Sequence, residues 1–190
     1  MKCSKDKLRK RITLEGKIKL LLAMGLVIYS IIVSSITGVL ALLGMLMSFG
    51  GDVFLMKRKD CFHNKEKDDL KLGILLFMLA HIFYAIIMDT PINHYIISGM
   101  AVICIFYLML IVFGAKENLS MFLYAIVLIL SVVNTFFFNQ LAFIGGCIFL
   151  ISDSLILLFK VIKNDGLIRH VSIWGTYVAA QILILTSFLI

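Results

Sequence analysis

Two aspartates occupy positions where a carboxyl group is costly. Asp52 lies within GMLMSFGGDVFLM at 44–56, and Asp153 within FIGGCIFLISDSLILLFK at 143–160, both inside long apolar runs. An ionisable side chain at membrane depth costs about 3 kcal/mol on insertion scales, so such residues face a bundle interior and serve a function. Two buried carboxyl groups that hold one proton between them offer an acid and a base to the same substrate. The plainer readings of the pair are a buried polar lock or an ion site.

The neighbouring polar residues fall at spacings that can join the pair. Gly73, Phe77, His81 and Tyr84 follow i, i+4, i+8, i+11 and so share one helix face, as do Tyr177 and Gln181 at i, i+4. Ser152 stands next to Asp153. The candidate catalytic set is therefore Asp52, Asp153 and His81, with His81 relaying a proton or orienting a carboxylate. Tyr84, Tyr124, Ser152, Tyr177 and Gln181 are the candidate substrate-binding groups. Each has a structural alternative: tyrosines join helices or form an interfacial belt, and Ser152 and Ser154 hydroxyls bond back to their own helix. Asn134 has no stronger claim than packing.

The elements that must position these residues are set by hydropathy. The 190 residues are 62% hydrophobic with a mean hydropathy of +1.06 and a single proline, against roughly 45–50% apolar usage in soluble domains. A spanning helix takes about 20 mostly apolar residues, and the runs fall near 18–36, 38–56, 72–89, 95–113, 119–138, 141–159 and 171–190. Breaks such as SSITG, DTPINHY, GAKEN and FFNQ separate them. The expected fold is all-α, a polytopic transmembrane bundle of about seven helices. A basic segment over 1–17 precedes a single transmembrane domain over 18–190, with a charged loop near 57–71. The first apolar run has no small-residue cleavage site after it and is read as a retained helix.

Charge placement gives the same count independently. Lys and Arg concentrate in cytoplasmic loops. With a cytoplasmic amino terminus, the basic residues fall before the first helix, in MKRKDCFHNKEKDDLK, at Lys116, and at Lys160, Lys163 and Arg169, all on one side. The opposite loops, around Ile36, Pro91 and Asn139, carry none. This parity leaves the carboxyl terminus on the far side and implies an integral, multi-pass protein of a bacterial-type plasma membrane. The net charge of +7 thus reflects topology and attraction to anionic membrane lipids, so no nucleic-acid partner is expected. Asp52 precedes Lys57 by five residues and Asp153 precedes Lys160 by seven. At about 1.5 Å per residue, Asp52 lies roughly 7–8 Å inside the boundary and Asp153 at a similar depth. His81, Tyr177 and Gln181 approach from helices running the other way, so a cavity open to the cytoplasmic side can hold them all.

Other chemistries find little support. The cysteines, Cys3, Cys61, Cys104 and Cys147, show no CxxC spacing, and HExxH, GxSxG and a phosphate-binding glycine loop are all missing. Neither a metal nor another cofactor is expected. A zinc site on Asp52, His81 and Asp153 is a thin alternative, with one histidine and no HxxxH pair. No residue pattern specifies an oligomer.

Four blocks carry a resemblance: GMLMSFGGDVFLM at 44–56, GILLFMLAHIFYAI at 73–86, FIGGCIFLISDSLILLFK at 143–160 and YVAAQILI at 177–184. In this order they resemble the YhhN family of lysoplasmalogenase-like membrane proteins. Lys19, in KIKLLL, is similar to the lysine of the family's Lys-Pro-Leu block, with Leu20 where proline is usual. Family members commonly have eight predicted helices, and this chain resembles them without the first, which fits the charge parity. The resemblance implies hydrolysis of the vinyl ether bond of a lysoplasmalogen, a lysophospholipid substrate, with Lys19 holding its phosphate. A proton- or cation-coupled transporter, or a lipid-binding membrane protein, is the alternative use of the same buried polar site.

Overall fold

A computed structural model of the protein describes residues 14–37, 39–57, 65–112, 117–162 and 167–190. Among them the chain forms seven α-helices and no strands: α1 (Leu14–Thr37), α2 (Val39–Lys57), α3 (Lys65–Ile87), α4 (Asn93–Val112), α5 (Glu117–Phe138), α6 (Gln140–Ile162) and α7 (Leu167–Ser187). Each apolar run of the sequence corresponds to one helix. Residues 1–13 of the expected basic segment lie outside the described residues, and 14–17 already belong to α1. The expected loop near 57–71 is shorter than the sequence suggests, because α3 begins at Lys65; residues 58–64 lie outside the described residues. The reason is that backbone hydrogen bonds do not require apolar side chains. Similarly, α7 starts at Leu167, before its apolar run, and ends at Ser187.

Short connections hold the far end together. Asn139 is the single residue between α5 and α6; its Oδ1 accepts from the Ala142 backbone N–H at 2.8 Å, an amino-terminal cap for α6. Its Nδ2 donates to the Ser187 carbonyl at the end of α7, 3.1 Å away.

The helix contacts define a ring. In order, α1 packs on α2, α2 on α3, α3 on α5, α5 on α6, α6 on α7, and α7 back on α1, while α4 lies outside against α3 and α5. The α2–α3 and α6–α7 seams are the most extensive, and glycines make both possible. A Cβ on Gly51 would lie 2.7 Å from the Phe77 ring, and one on Gly145 would lie 3.1 Å from the Ile184 backbone nitrogen. The α1–α7 seam is pinned at two levels. Lys19 Nζ sits 5.4 Å from the centre of the Trp174 ring, and Tyr29 and Thr186 hydroxyls meet at 2.9 Å. Both partners advance along their helices together, so α1 and α7 run parallel. Outside the ring, α4 buries Ile96, Met100, Cys104 and Tyr107, the i, i+4, i+8, i+11 face, and Tyr107 Oη donates to the Lys71 carbonyl of α3 at 3.1 Å.

Large apolar side chains point outward from every helix, among them Ile28, Leu46, Ile86, Val102, Phe122, Ile151 and Val171. A water-soluble bundle would bury these and present polar groups instead. By length and composition, Leu70–Ile87 and Leu119–Phe138 are apolar enough to cross a membrane, and the described parts of the other five helices carry shorter apolar stretches. The seams predict which glycines matter. Gly145→Ala should lower stability by about 1–3 kcal/mol through overpacking, whereas Gly25→Ala and Gly175→Ala, with open space at the new methyl, should leave it unchanged or raise it slightly. Thermal unfolding of the three variants in one detergent checks this.

Candidate functional site

The buried polar side chains here include Ser48 and Asp52 of α2, His81 and Tyr84 of α3, Ser131 of α5, and Tyr177 and Gln181 of α7, and half-buried Lys19 of α1, Tyr124 of α5 and Asp153 of α6 adjoin them. The outlying α4 contributes none of these. Helical geometry explains the local order, since Ser48 stands one turn from Asp52 and Tyr177 one turn from Gln181.

The two carboxyl groups are inequivalent. Tyr124 Oη donates to Asp153 Oδ2 at 2.5 Å. Asp52, only 6% exposed, has an Oδ2 without a hydrogen-bond partner among the described residues. Asp153 and Lys19 lie close enough to Asp52 for electrostatic interaction, and the Tyr177 hydroxyl lies beside it. That hydroxyl also neighbours Gln181 yet completes a hydrogen bond with neither. One layer further along, Tyr84 Oη donates to Gln181 Oε1 at 3.1 Å, and Gln181 Nε2 donates to Ser48 Oγ at 3.4 Å. His81 meets Ser131 Oγ through Nδ1 at 3.0 Å, and its Nε2 is unpartnered among the described residues.

Aromatic rings wall this interior. Phe149 stands edge-on to His81 at 5.0 Å and to Tyr177 at 5.7 Å. Phe77 meets Tyr177 edge-on at 6.5 Å and Tyr124 at 6.4 Å. Trp174 packs edge-on against Tyr177 at 5.5 Å and carries Lys19 on its face. Apolar walls exclude water and strengthen the electrostatic interactions within. Buried polar atoms normally find partners, because leaving one unmade costs about 1–3 kcal/mol. Asp52 Oδ2, His81 Nε2 and Tyr177 Oη all break that rule within one ring interior. Such atoms are available to water or to a ligand's polar groups.

Other sequence candidates have more structural surroundings. Ser152 Oγ donates to the Ile173 carbonyl of α7 at 3.0 Å, tying α6 to α7, while Ser154 bonds back to Leu150 on its own helix. Asn134 is a hub at the opposite end: it accepts from Thr90 at 2.7 Å and donates to Asn93 at 3.2 Å. Sequence reasoning passed over Ser131 and Trp174. Serine is too common in membrane helices to stand out, and only its position opposite His81 marks it. Trp174, a single tryptophan three residues before Tyr177, gave a signal that spacing alone could have used. Among the described residues, no three His, Cys, Asp or Glu side chains gather as a possible metal site.

The Tyr124–Asp153 bond predicts non-additive mutational effects. In a double-mutant cycle of Tyr124→Phe and Asp153→Asn, thermal or denaturant unfolding should return a coupling of about 0.5–3 kcal/mol.

No curated protein and no solved structure matches this chain. The model of the YhhN family matches residues 16–188, which takes in all seven helices and every side chain of the ring interior named above, and the chain is therefore a member of the YhhN family.

Proposed function

We propose that this protein is a membrane-embedded hydrolase that cleaves the vinyl ether bond of a lysoplasmalogen to a fatty aldehyde and a glycerophospho-base. The observation that carries the reading is the pair of carboxyl groups, Asp52 and Asp153, brought from opposite parts of the chain into one ring interior where each bears a different set of neighbours. Membership of the YhhN family is consistent with it. In the same reading all seven helices cross the bilayer, the amino terminus is cytoplasmic, and the site opens towards that side. The outward apolar faces and the confinement of Lys and Arg to one set of loops support this topology.

The chemistry needs an acid, a base and stabilisation of positive charge. Protonation of the alkene carbon gives an oxocarbenium ion, water adds to it with loss of a proton, and the resulting hemiacetal collapses to aldehyde and alcohol. One carboxyl group supplies the first proton and the other takes the proton from water, while either carboxylate stabilises the cation, as paired carboxyl groups do around the oxocarbenium-like state of glycoside hydrolysis. Tyr177, beside Asp52, and Gln181 position water or the ether oxygen. Tyr84 holds Gln181, and Tyr124 holds Asp153. Lys19, at the start of α1, takes the substrate phosphate as a point charge, and the chain of the lipid lies along the apolar walls.

The test is incubation of purified protein, in detergent or nanodiscs, with lysoplasmalogens and with ordinary lysophospholipids, followed by mass detection of products. Aldehyde is expected. Free fatty acid would make the protein an esterase, and substrate flux in proteoliposomes without product would make it a transporter. Asp52→Asn and Asp153→Asn should each lower kcat by about 100-fold or more, with folding verified by size-exclusion chromatography. Full activity in both variants would refute the acid/base assignment.

A further inference from the structure

Helical serine and threonine hydroxyls commonly return their hydrogen to a carbonyl one turn back on their own helix. Ser30, Ser34, Thr135, Ser154, Thr176 and Ser187 all do so here. Ser131 does not. Its Oγ faces across from α5 to α3 and lies 3.0 Å from His81 Nδ1. Both residues are buried, so bulk water does not compete for the bond. A serine hydroxyl has one hydrogen to give, and His81 Nδ1 is an acceptor within hydrogen-bonding distance of it. If Nδ1 accepts that hydrogen, the ring's own hydrogen sits on Nε2, the atom that has no hydrogen-bond partner among the described residues. Phe149 and Tyr124 flank the ring, at 5.0 and 6.3 Å between centres, and Tyr124 is the residue that donates to Asp153.

We propose that Ser131 is a positioning residue that fixes His81 as its Nε2–H tautomer, so that the site offers a hydrogen-bond donor to an oxygen of the substrate or of the attacking water. The other unpartnered atoms of the interior, Asp52 Oδ2 and Tyr177 Oη, are oxygens. A nitrogen donor added to them suits a ligand oxygen that both donates and accepts, the pattern of water or of a hydroxyl. The identity of that oxygen rests on the vinyl ether reading; the tautomer does not. In that reading, Nε2–H bonds to the glycerol oxygen and stabilises the negative charge that develops there as the hemiacetal C–O bond breaks.

The decisive measurement is nitrogen NMR of ¹⁵N-histidine-labelled protein in nanodiscs, with the His81→Gln spectrum identifying the His81 signals among those of the four histidines. The wild-type ring should carry its hydrogen on Nε2 and show a bare, hydrogen-bonded Nδ1. A hydrogen on Nδ1, or on both nitrogens, overturns the proposal, and this spectrum decides the tautomer even if Ser131→Ala fails to fold. In Ser131→Ala the Nδ1 signal should move to that of an unbonded nitrogen, and Ser131→Thr, which keeps the hydroxyl, should restore it. In the vinyl ether assay, kcat of Ser131→Ala should fall about tenfold with KM changed less than about twofold, and Ser131→Thr should recover it. An unchanged kcat or an unmoved Nδ1 signal in Ser131→Ala refutes the positioning role. Should the protein hydrolyse no vinyl ether, the spectra still decide the tautomer, so the two readings fail separately.

Discussion

Polar groups in a bundle whose outer surface is apolar must find partners inside it. Water cannot reach them through such a surface, and helices suit that setting because they bond their own backbone. In this protein that constraint is met by closing six helices into a ring and turning their polar side chains inward. Closure is a collective property. The carboxyl groups come from α2 and α6, the imidazole from α3, the lysine from α1, and the hydroxyls and amide from α2, α3, α5 and α7. No two adjacent helices could assemble the set. The close seams at Gly51 and Gly145 bring α2 onto α3 and α6 onto α7, which makes the interior narrow enough for these side chains to meet.

Satisfaction of polar groups is unevenly divided along the bundle. At the end that holds the α3–α4 and α5–α6 connections, Asn134 is bonded to Thr90 and Asn93, Asn139 caps α6 and reaches α7, and Tyr29 meets Thr186. Towards the other end, three buried polar atoms have no partner among the described residues. The first region ties helices together through completed hydrogen bonds. The second keeps unused hydrogen-bonding capacity beside two carboxyl groups, an arrangement that costs stability and suits a site that must bind something. Apolar aromatic walls stand around this capacity.

Hydropathy determined the helices, because apolar length is a local property written directly in residue order. Each of the seven runs became a helix, and their place within apolar runs marked the two carboxyl groups, of which Asp52 is buried and Asp153 half-buried. Helical periodicity also put Tyr177 and Gln181 on one face. Hydropathy misjudged where α3 and α7 begin, since a helix continues through polar residues once its backbone bonds are made. The tertiary structure alone decided the order of the ring, the exclusion of α4 from it, the pairing of Tyr124 with Asp153 and the meeting of Ser131 with His81. It also gave Ser152 a role between α6 and α7 and made Asn134 a hub. Spacing within a helix fixes which residues share a face, but which helix that face meets depends on packing between segments far apart in the chain.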